Sequence, residues 1–272
     1  MVNGYMPMTL QEALEIRAAH EVVPYGGGTD LMIEGEKDAV YLFVNKVAEM
    51  KQIVDDGTYI RIGGSCTFTE VLASPLVPQL MKEAVSRIAA PAIRNTGTMA
   101  GNIGNGSAKA DSVLIDFAAD AKLRLASVRG ERILPIEEFY KGRKQLDLAA
   151  DELIVEILLP REGLENFFYQ KVGARNALAI SRLSFAGVLR LDGDKIAGIA
   201  IAFGAVAGTV LRFRELEQML VGKTQAEAKK IRPAFVAAYQ EAIQPTRGRV
   251  SAEYRKQVCL NLLNAFLDDK GI

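Results

Sequence analysis

Val22-Val23-Pro24-Tyr25-Gly26-Gly27-Gly28-Thr29-Asp30 is a short apolar strand that runs into three consecutive glycines and two polar residues. Successive backbone N–H groups stand there with little side-chain cover, the arrangement that makes an anion-binding nest. A helix N-terminus after the loop would add its own positive end. Glycine suits the role because a Cβ would hold the backbone away from a phosphate and disfavour positive φ. Taken alone, the string reads more often as a tight turn than as a site, because short glycine motifs match by chance.

A second stretch shifts that balance. Arg94-Asn95-Thr96-Gly97-Thr98-Met99-Ala100-Gly101-Asn102-Ile103-Gly104-Asn105-Gly106-Ser107 has four glycines, three asparagines and no apolar periodicity. It is expected to form a long ordered loop or a chain of turns. Two polar glycine loops, each leaving an apolar element, predict a long ligand gripped from both sides by bare main-chain amides. FAD is such a ligand, with a pyrophosphate for backbone donors and a ribityl chain and ribose for polar partners. Reading G-x-G-x-x-G from Gly26 puts Leu31 at the third glycine, and from Gly104 it puts Lys109 there. No P-loop pattern occurs, so a simple Rossmann or P-loop protein is disfavoured.

The flanking pattern is α+β. Thr9 with Glu12 is a capping-box signature, and Leu10, Ala13 and Leu14 open a helical face. With the strands at Val22–Val23 and Val40–Val44 this makes a small α/β lobe of about residues 1–55. A larger lobe, about 56–162, begins at the Asp55-Asp56-Gly57 hairpin signal before strand Tyr59–Ile62. It continues with a second capping box at Thr67 and Glu70, an amphipathic helix in Val77–Ala89 and a helix at Val113–Ala119. Strands at Lys122–Ser127 and Leu153–Leu159 complete it, with a turn at Arg129-Gly130. Beyond the boundary near Pro160–Glu165, residues 163–272 form a C-terminal domain. Its three antiparallel strands are Phe167–Val172, Leu183–Leu191 and Ile196–Phe203, the last two joined by Asp192-Gly193-Asp194. Helices follow at Phe213–Val221, Gln225–Ala242 and Ala252–Leu267, and Pro233 is expected to break or kink the second.

Composition excludes several classes. The 272 residues carry 33 Lys and Arg against 33 Asp and Glu, so no global field favours nucleic acid or an anionic membrane. Cys66 and Cys259 are far apart and have no neighbours at ligand spacing. They make neither a disulfide framework nor an iron–sulfur or zinc site, and a reducing cytoplasm suits them. His20 is the only histidine, which discounts a histidine triad or metal cluster together; no metal site is expected. The longest uncharged run, Ile196–Leu211, is shorter than the ~20 residues of a spanning helix. The N-terminus lacks the basic start and apolar core of a signal peptide, so the expectation is a soluble, cytoplasmic protein.

The loop Gly26 to Leu31 looks like the A-G-G-T-D-L loop of the FAD-binding medium subunits of molybdenum hydroxylases, the xanthine dehydrogenase and carbon monoxide dehydrogenase type. Arg94 to Ser112 is similar to that family's R-N-x-G-T-x-G-G-N-I-x-N-G-S-x-x-A-D-S segment. Tyr169 to Arg175 resembles its aromatic-x-K-x-x-x-R strand, and Ala202 to Ala207 with Arg212 resembles the signature of its C-terminal domain. Each motif alone is weak; four in order, in a match running from about Thr9 to the end, are specific.

The resemblance implies a two-lobed FAD-binding domain of the vanillyl-alcohol-oxidase/PCMH-like type at 1–162 and the sheet-plus-helices domain after it. It implies non-covalent FAD, with no covalent histidyl link, since His20 precedes the glycine loop. Val23, Pro24, Tyr25, Gly26, Gly27, Gly28, Thr29, Asp30 and Leu31 would cradle the pyrophosphate, mainly by backbone N–H groups. Gly97, Thr98, Gly101 and Asn102 would form the second clamp, and Asp111 would hydrogen-bond a hydroxyl of the ribityl–ribose region. Leu153 and Lys171 occupy positions where the family has an apolar residue and a cation beside the isoalloxazine. From the sequence alone, Lys171 is equally a solvated lysine at a strand edge. Ala100 replaces a family glycine and Gly26 a family alanine, both small exchanges. Ala179 replaces a frequent aspartate, so Ala179 and Ile180 are left outside the site.

The implied role is an oxidoreductase subunit for electron transfer, with no substrate chemistry of its own. Electrons would pass from [2Fe-2S] clusters on a small partner subunit through FAD to NAD or another acceptor, with molybdopterin on a large partner subunit. The lack of a cluster-binding cysteine set here agrees with a separate partner. Two alternatives stand beside it: a stand-alone flavin oxidoreductase of the vanillyl-alcohol-oxidase-like group, and a non-catalytic nucleotide-binding module.

Overall fold

The computed structural model describes residues 3–35, 38–248 and 250–272. The chain forms two compact units. One comprises the segments up to Val77, Ala89–Gly106 and Asp120–Arg161; the other comprises Pro78–Ile88, Ser107–Ala119 and Glu162–Ile272.

The first unit holds two sheets. Strands β1 (Gly4–Tyr5), β2 (Val23–Tyr25) and β3 (Tyr41–Phe43) make a parallel sheet in the order β1-β3-β2. The helix Leu10–Ala19 joins β1 to β2, and Thr9 caps it by accepting the Glu12 N–H at 3.2 Å. The Glu12 carboxylate reaches back one residue further than a capping box predicts, to the Met8 N–H at 2.8 Å. Ala13 and Leu14 are buried against Val22, Leu42, Val44 and Val47, and Leu153 and Val155 close the same cluster. Each large aliphatic side chain so buried contributes about 1.5–3 kcal/mol.

The second sheet is antiparallel. Its strands are β4 (Ile53–Asp55), β5 (Tyr59–Gly63), β6 (Lys122–Ser127), β7 (Gly130–Pro135) and, after the ribbon of β8 (Tyr140–Gly142) and β9 (Gln145–Leu146), β10 (Leu153–Pro160). The order is β4-β5-β10-β6-β7. Strand β10 sits at the centre, and Leu153, Ile154, Val155, Ile157, Leu158 and Leu159 are buried on its two faces. The β4–β5 hairpin turns at Gly57, with φ of +90°, while Asp56 Oδ1 accepts the N–H groups of Thr58 and Tyr59.

The C-terminal sheet has four antiparallel strands where the pattern predicts three: β11 (Phe167–Val172), β12 (Leu183–Asp192), β13 (Lys195–Gly204) and β14 (Leu211–Arg212), paired in sequence order. Two residues are too few to show an alternation of period two, and a charged Arg212 marks a loop in a sequence reading. Here the Arg212 charge is buried against Glu217, with Nε 2.9 Å from Oε1, so the strand is admissible. That pairing also shortens the helix expected at Phe213–Val221 to Arg214–Glu217.

Helices Gln225–Ala242 and Ala252–Asp269 pack Phe235, Tyr239, Cys259, Leu263 and Phe266 with Phe185 and Phe203 of the sheet. A Cβ on Gly187 would meet the Phe266 ring, which is why the helix approaches the sheet there. Pro233 does not break its helix, which runs unbroken from Gln225 to Ala242. A full capping box at Thr224 and Glu227, and core anchors at Ala228 and Phe235 on either side, outweigh the ~3 kcal/mol that an internal proline costs. No helix among the described residues is long and apolar enough to cross a membrane.

Candidate cofactor site

In the first unit the loop after β2 faces the segment around Thr98, and both line one cavity of about 500 Å³. Val23, Pro24, Gly26, Gly27, Gly28, Thr29, Asp30, Leu31, Gly97, Thr98, Gly101, Asn102 and Leu153 all reach its wall. Tyr25 does not. Strand alternation sends its ring into an aromatic cluster, 4.8 Å from Phe43 and 5.6 Å from Tyr41.

Contacts between the loops set the glycine requirement. A Cβ on Gly26 would collide with Thr98 Oγ1, and one on Gly27 with the Thr96 carbonyl. Gly28 adds a φ of +70°. Among the described residues, none accepts a hydrogen bond from the backbone N–H of Gly27, Gly28, Thr29 or Asp30. All four residues line the cavity, where water or a ligand can satisfy such donors. The helix that follows, Leu31–Glu34, is a single turn, so the anion-binding capacity rests on the amides themselves.

The second segment differs from the expected loop. It folds into two short helices, Pro91–Arg94 and Met99–Gly104. Pro91 occupies the first helical position, and Thr98 Oγ1 accepts the Gly101 N–H at 3.2 Å. Its amides are therefore already engaged: Gly97 donates to Ile93, Met99 to Cys66, Ala100 to Gly64 and Asn102 to Thr98. The idea of bare amides on both sides is corrected to bare amides from one loop and a capped helical wall from the other.

Asp111 and Lys171 belong to the second unit and do not line this cavity. They meet each other. Lys171 Nζ lies 2.7 Å from Asp111 Oδ2 and donates to the Arg87 carbonyl at 2.9 Å, while Ser181 Oγ donates to Asp111 Oδ1 at 2.6 Å. The Lys171 side chain is 9% exposed, so it is a buried, paired cation and not a solvated edge residue. Nothing in the sequence pointed to Ser181, which follows the excluded Ala179 and the exposed Ile180.

Sequence reading also missed Arg17, Phe68, Asn105, Lys144 and Glu152 in the cavity wall. Asn105 was within reach of it, being in the second glycine segment, and Arg17 and Glu152 stand just before the strands of Val23 and Leu153; Phe68 and Lys144 come from other elements. Arg132 holds the Glu152 carboxyl below the usual range through hydrogen bonds of 2.7 and 2.9 Å. Burial lowers the affinity of Arg17 for its proton, partly offset by Asp151.

The described residues suit an FAD. Unspent amides stand where a diphosphate needs donors, glycines leave room beside them, and Leu153 and Phe68 supply apolar surface. Residues 1–162 match the family described as the FAD binding domain in molybdopterin dehydrogenase, and residues 168–269 match the CO dehydrogenase flavoprotein C-terminal domain. The chain is 30% identical to the xanthine dehydrogenase FAD-binding subunit of Escherichia coli O157:H7, over 94% of this chain and 89% of that one. It is 30% identical to the nicotinate dehydrogenase FAD-subunit of Eubacterium barkeri, over 93% and 90%. Its fold matches carbon monoxide dehydrogenase from Hydrogenophaga pseudoflava with a TM-score of 0.89 at 25% identity, covering 98% of this chain and 97% of that one. The fold and cavity thus define an FAD-binding oxidoreductase subunit of mixed α/β architecture. The chain belongs to the molybdopterin-dehydrogenase FAD-binding family.

Proposed function

We propose that this chain is the electron-transfer subunit of a multi-subunit molybdenum hydroxylase, with FAD bound non-covalently in a domain of the vanillyl-alcohol-oxidase/PCMH-like type at residues 1–162. Residues 163–272 form its C-terminal domain. Bound FAD supplies a carrier that accepts electrons singly and releases them in pairs. The Gly27–Asp30 amides hold the diphosphate, and Thr98, Gly101 and Asn102 wall its other side. The family resemblance assigns a sugar hydroxyl to Asp111 and the isoalloxazine to Leu153 and Lys171, of which Leu153 lines the cavity. The partners are a small [2Fe-2S] subunit and a large molybdopterin subunit, with NAD or another acceptor downstream, in the cytoplasm.

One observation carries this reading: four consecutive residues with unspent amides line one cavity together with the Thr98 wall. The test is the visible absorption spectrum of the purified chain, followed by co-expression with candidate iron–sulfur and molybdopterin subunits from the neighbouring coding regions. Flavin bands and a co-purifying complex are expected. A colourless chain that takes up ADP but no flavin overturns the cofactor reading, and a flavin-loaded chain that never associates overturns the relay.

A further inference from the structure

We propose that Arg17 is a binding residue for the anionic, diphosphate-bearing half of the cofactor. Arg17 stands in the last turn of helix Leu10–Ala19, the element just before the strand that delivers the first glycine loop, and it lines the cavity. One guanidinium nitrogen, Nη1, donates to the Val22 carbonyl at the start of the strand that delivers the glycine loop. Its Nε–H is buried without a hydrogen-bond partner.

Two carboxylates of this region are already paired with other arginines. Asp151, the acid that acts on Arg17, is held by Arg129 through two hydrogen bonds of 2.7 Å. Glu152, a carboxylate in the same wall, is held by Arg132, and Asp30, the other, accepts from Asn105. Arg17 is a half-buried cation lining the same cavity as Gly27, Gly28, Thr29 and Asp30, and a doubly charged diphosphate complements both. The fork of the guanidinium, anchored at one nitrogen, presents the rest to phosphate oxygens.

This rests on FAD occupying the cavity, and the experiment separates the two claims. FAD, ADP and riboflavin are titrated into the apo-protein of wild type, Arg17→Gln and Arg17→Lys, with thermal melting alongside. Arg17→Gln is expected to weaken FAD and ADP by about tenfold, the factor that 1.4 kcal/mol represents, and to leave riboflavin unchanged. Arg17→Lys, which keeps the charge and loses the Nε–H, is expected to fall between. A wild type that binds no FAD removes the underlying reading. A wild type that binds FAD, with either folded variant retaining full affinity for FAD and ADP, overturns this role for Arg17. If Arg17→Gln fails to fold for want of a donor to Val22, Arg17→Lys decides the matter alone.

Discussion

Asn105 Nδ2 donates to Asp30 Oδ2 at 2.8 Å and ties the end of one glycine segment to the end of the other across 75 residues of chain. The bond is exposed, so its direct effect on stability is under about 1 kcal/mol. Its effect on ligand binding is larger, because it fixes the loop that carries the free amides against the second glycine segment. Asn105→Ala is expected to lower FAD affinity about threefold, and Asn105→Asp more, since it sets two carboxylates against each other. Fluorescence titration of FAD checks the order; equal affinities for all three proteins would falsify the tie.

The packing of Gly27 makes a sharper prediction. A Cβ there runs into the Thr96 carbonyl, which the Thr98-capped segment cannot move freely. Gly27→Ala is expected to cost about 1–3 kcal/mol in urea unfolding and to abolish flavin retention. The matched comparison is Gly193→Ala, in the β12–β13 turn, where φ is +61° but nothing lies within 4 Å of the new methyl. That variant costs about 1 kcal/mol and keeps its flavin.

The contrast shows what a sequence discloses. The Asp192-Gly193-Asp194 turn and strands β11 to β13 were legible because apolar runs and turn residues are local signals. Both glycine segments were legible as a pair, and their meeting in one cavity follows the pattern read from them. Strand β14 was hidden, being two residues long and dependent on a buried Arg212–Glu217 pair. The helix Met99–Gly104 was hidden because glycines and asparagines mask it and only the Thr98 cap and the Met99 and Ala100 contacts to Cys66 and Gly64 select it. Arg17 and Ser181 reach their positions by tertiary packing, which leaves no periodic trace.

The Lys171–Asp111–Ser181 cluster is expected to behave as one energetic unit. Removing one member of a buried ion pair strands the other charge, so Asp111→Ala should cost about 3–5 kcal/mol and Lys171→Met a similar amount. The double variant should cost much less than the sum, because no charge is left unpaired. Ser181→Ala, which removes one donor to the carboxylate, should cost about 1–3 kcal/mol. Additive single-variant costs in urea unfolding would show that the three act separately.

Asp116 gives the pH prediction. It lies on helix Asp111–Ala118, is fully buried, and among the described residues neither carboxylate oxygen has a hydrogen-bond partner. Burial raises its pKa well above the ordinary carboxylate value. The folded state therefore keeps the proton to higher pH than the unfolded chain does. This contribution to stability is complete below the unfolded pKa and is lost as pH rises through the folded one, with a slope of at most about 1.4 kcal/mol per pH unit. Asp116→Asn stays neutral throughout and should flatten that decline, so its stability relative to wild type rises as the pH climbs above the ordinary carboxylate range. Urea unfolding of both proteins over a pH series measures it. Parallel curves would mean that the carboxylate finds a partner or water when it ionises, and that the helix does not hold it dry.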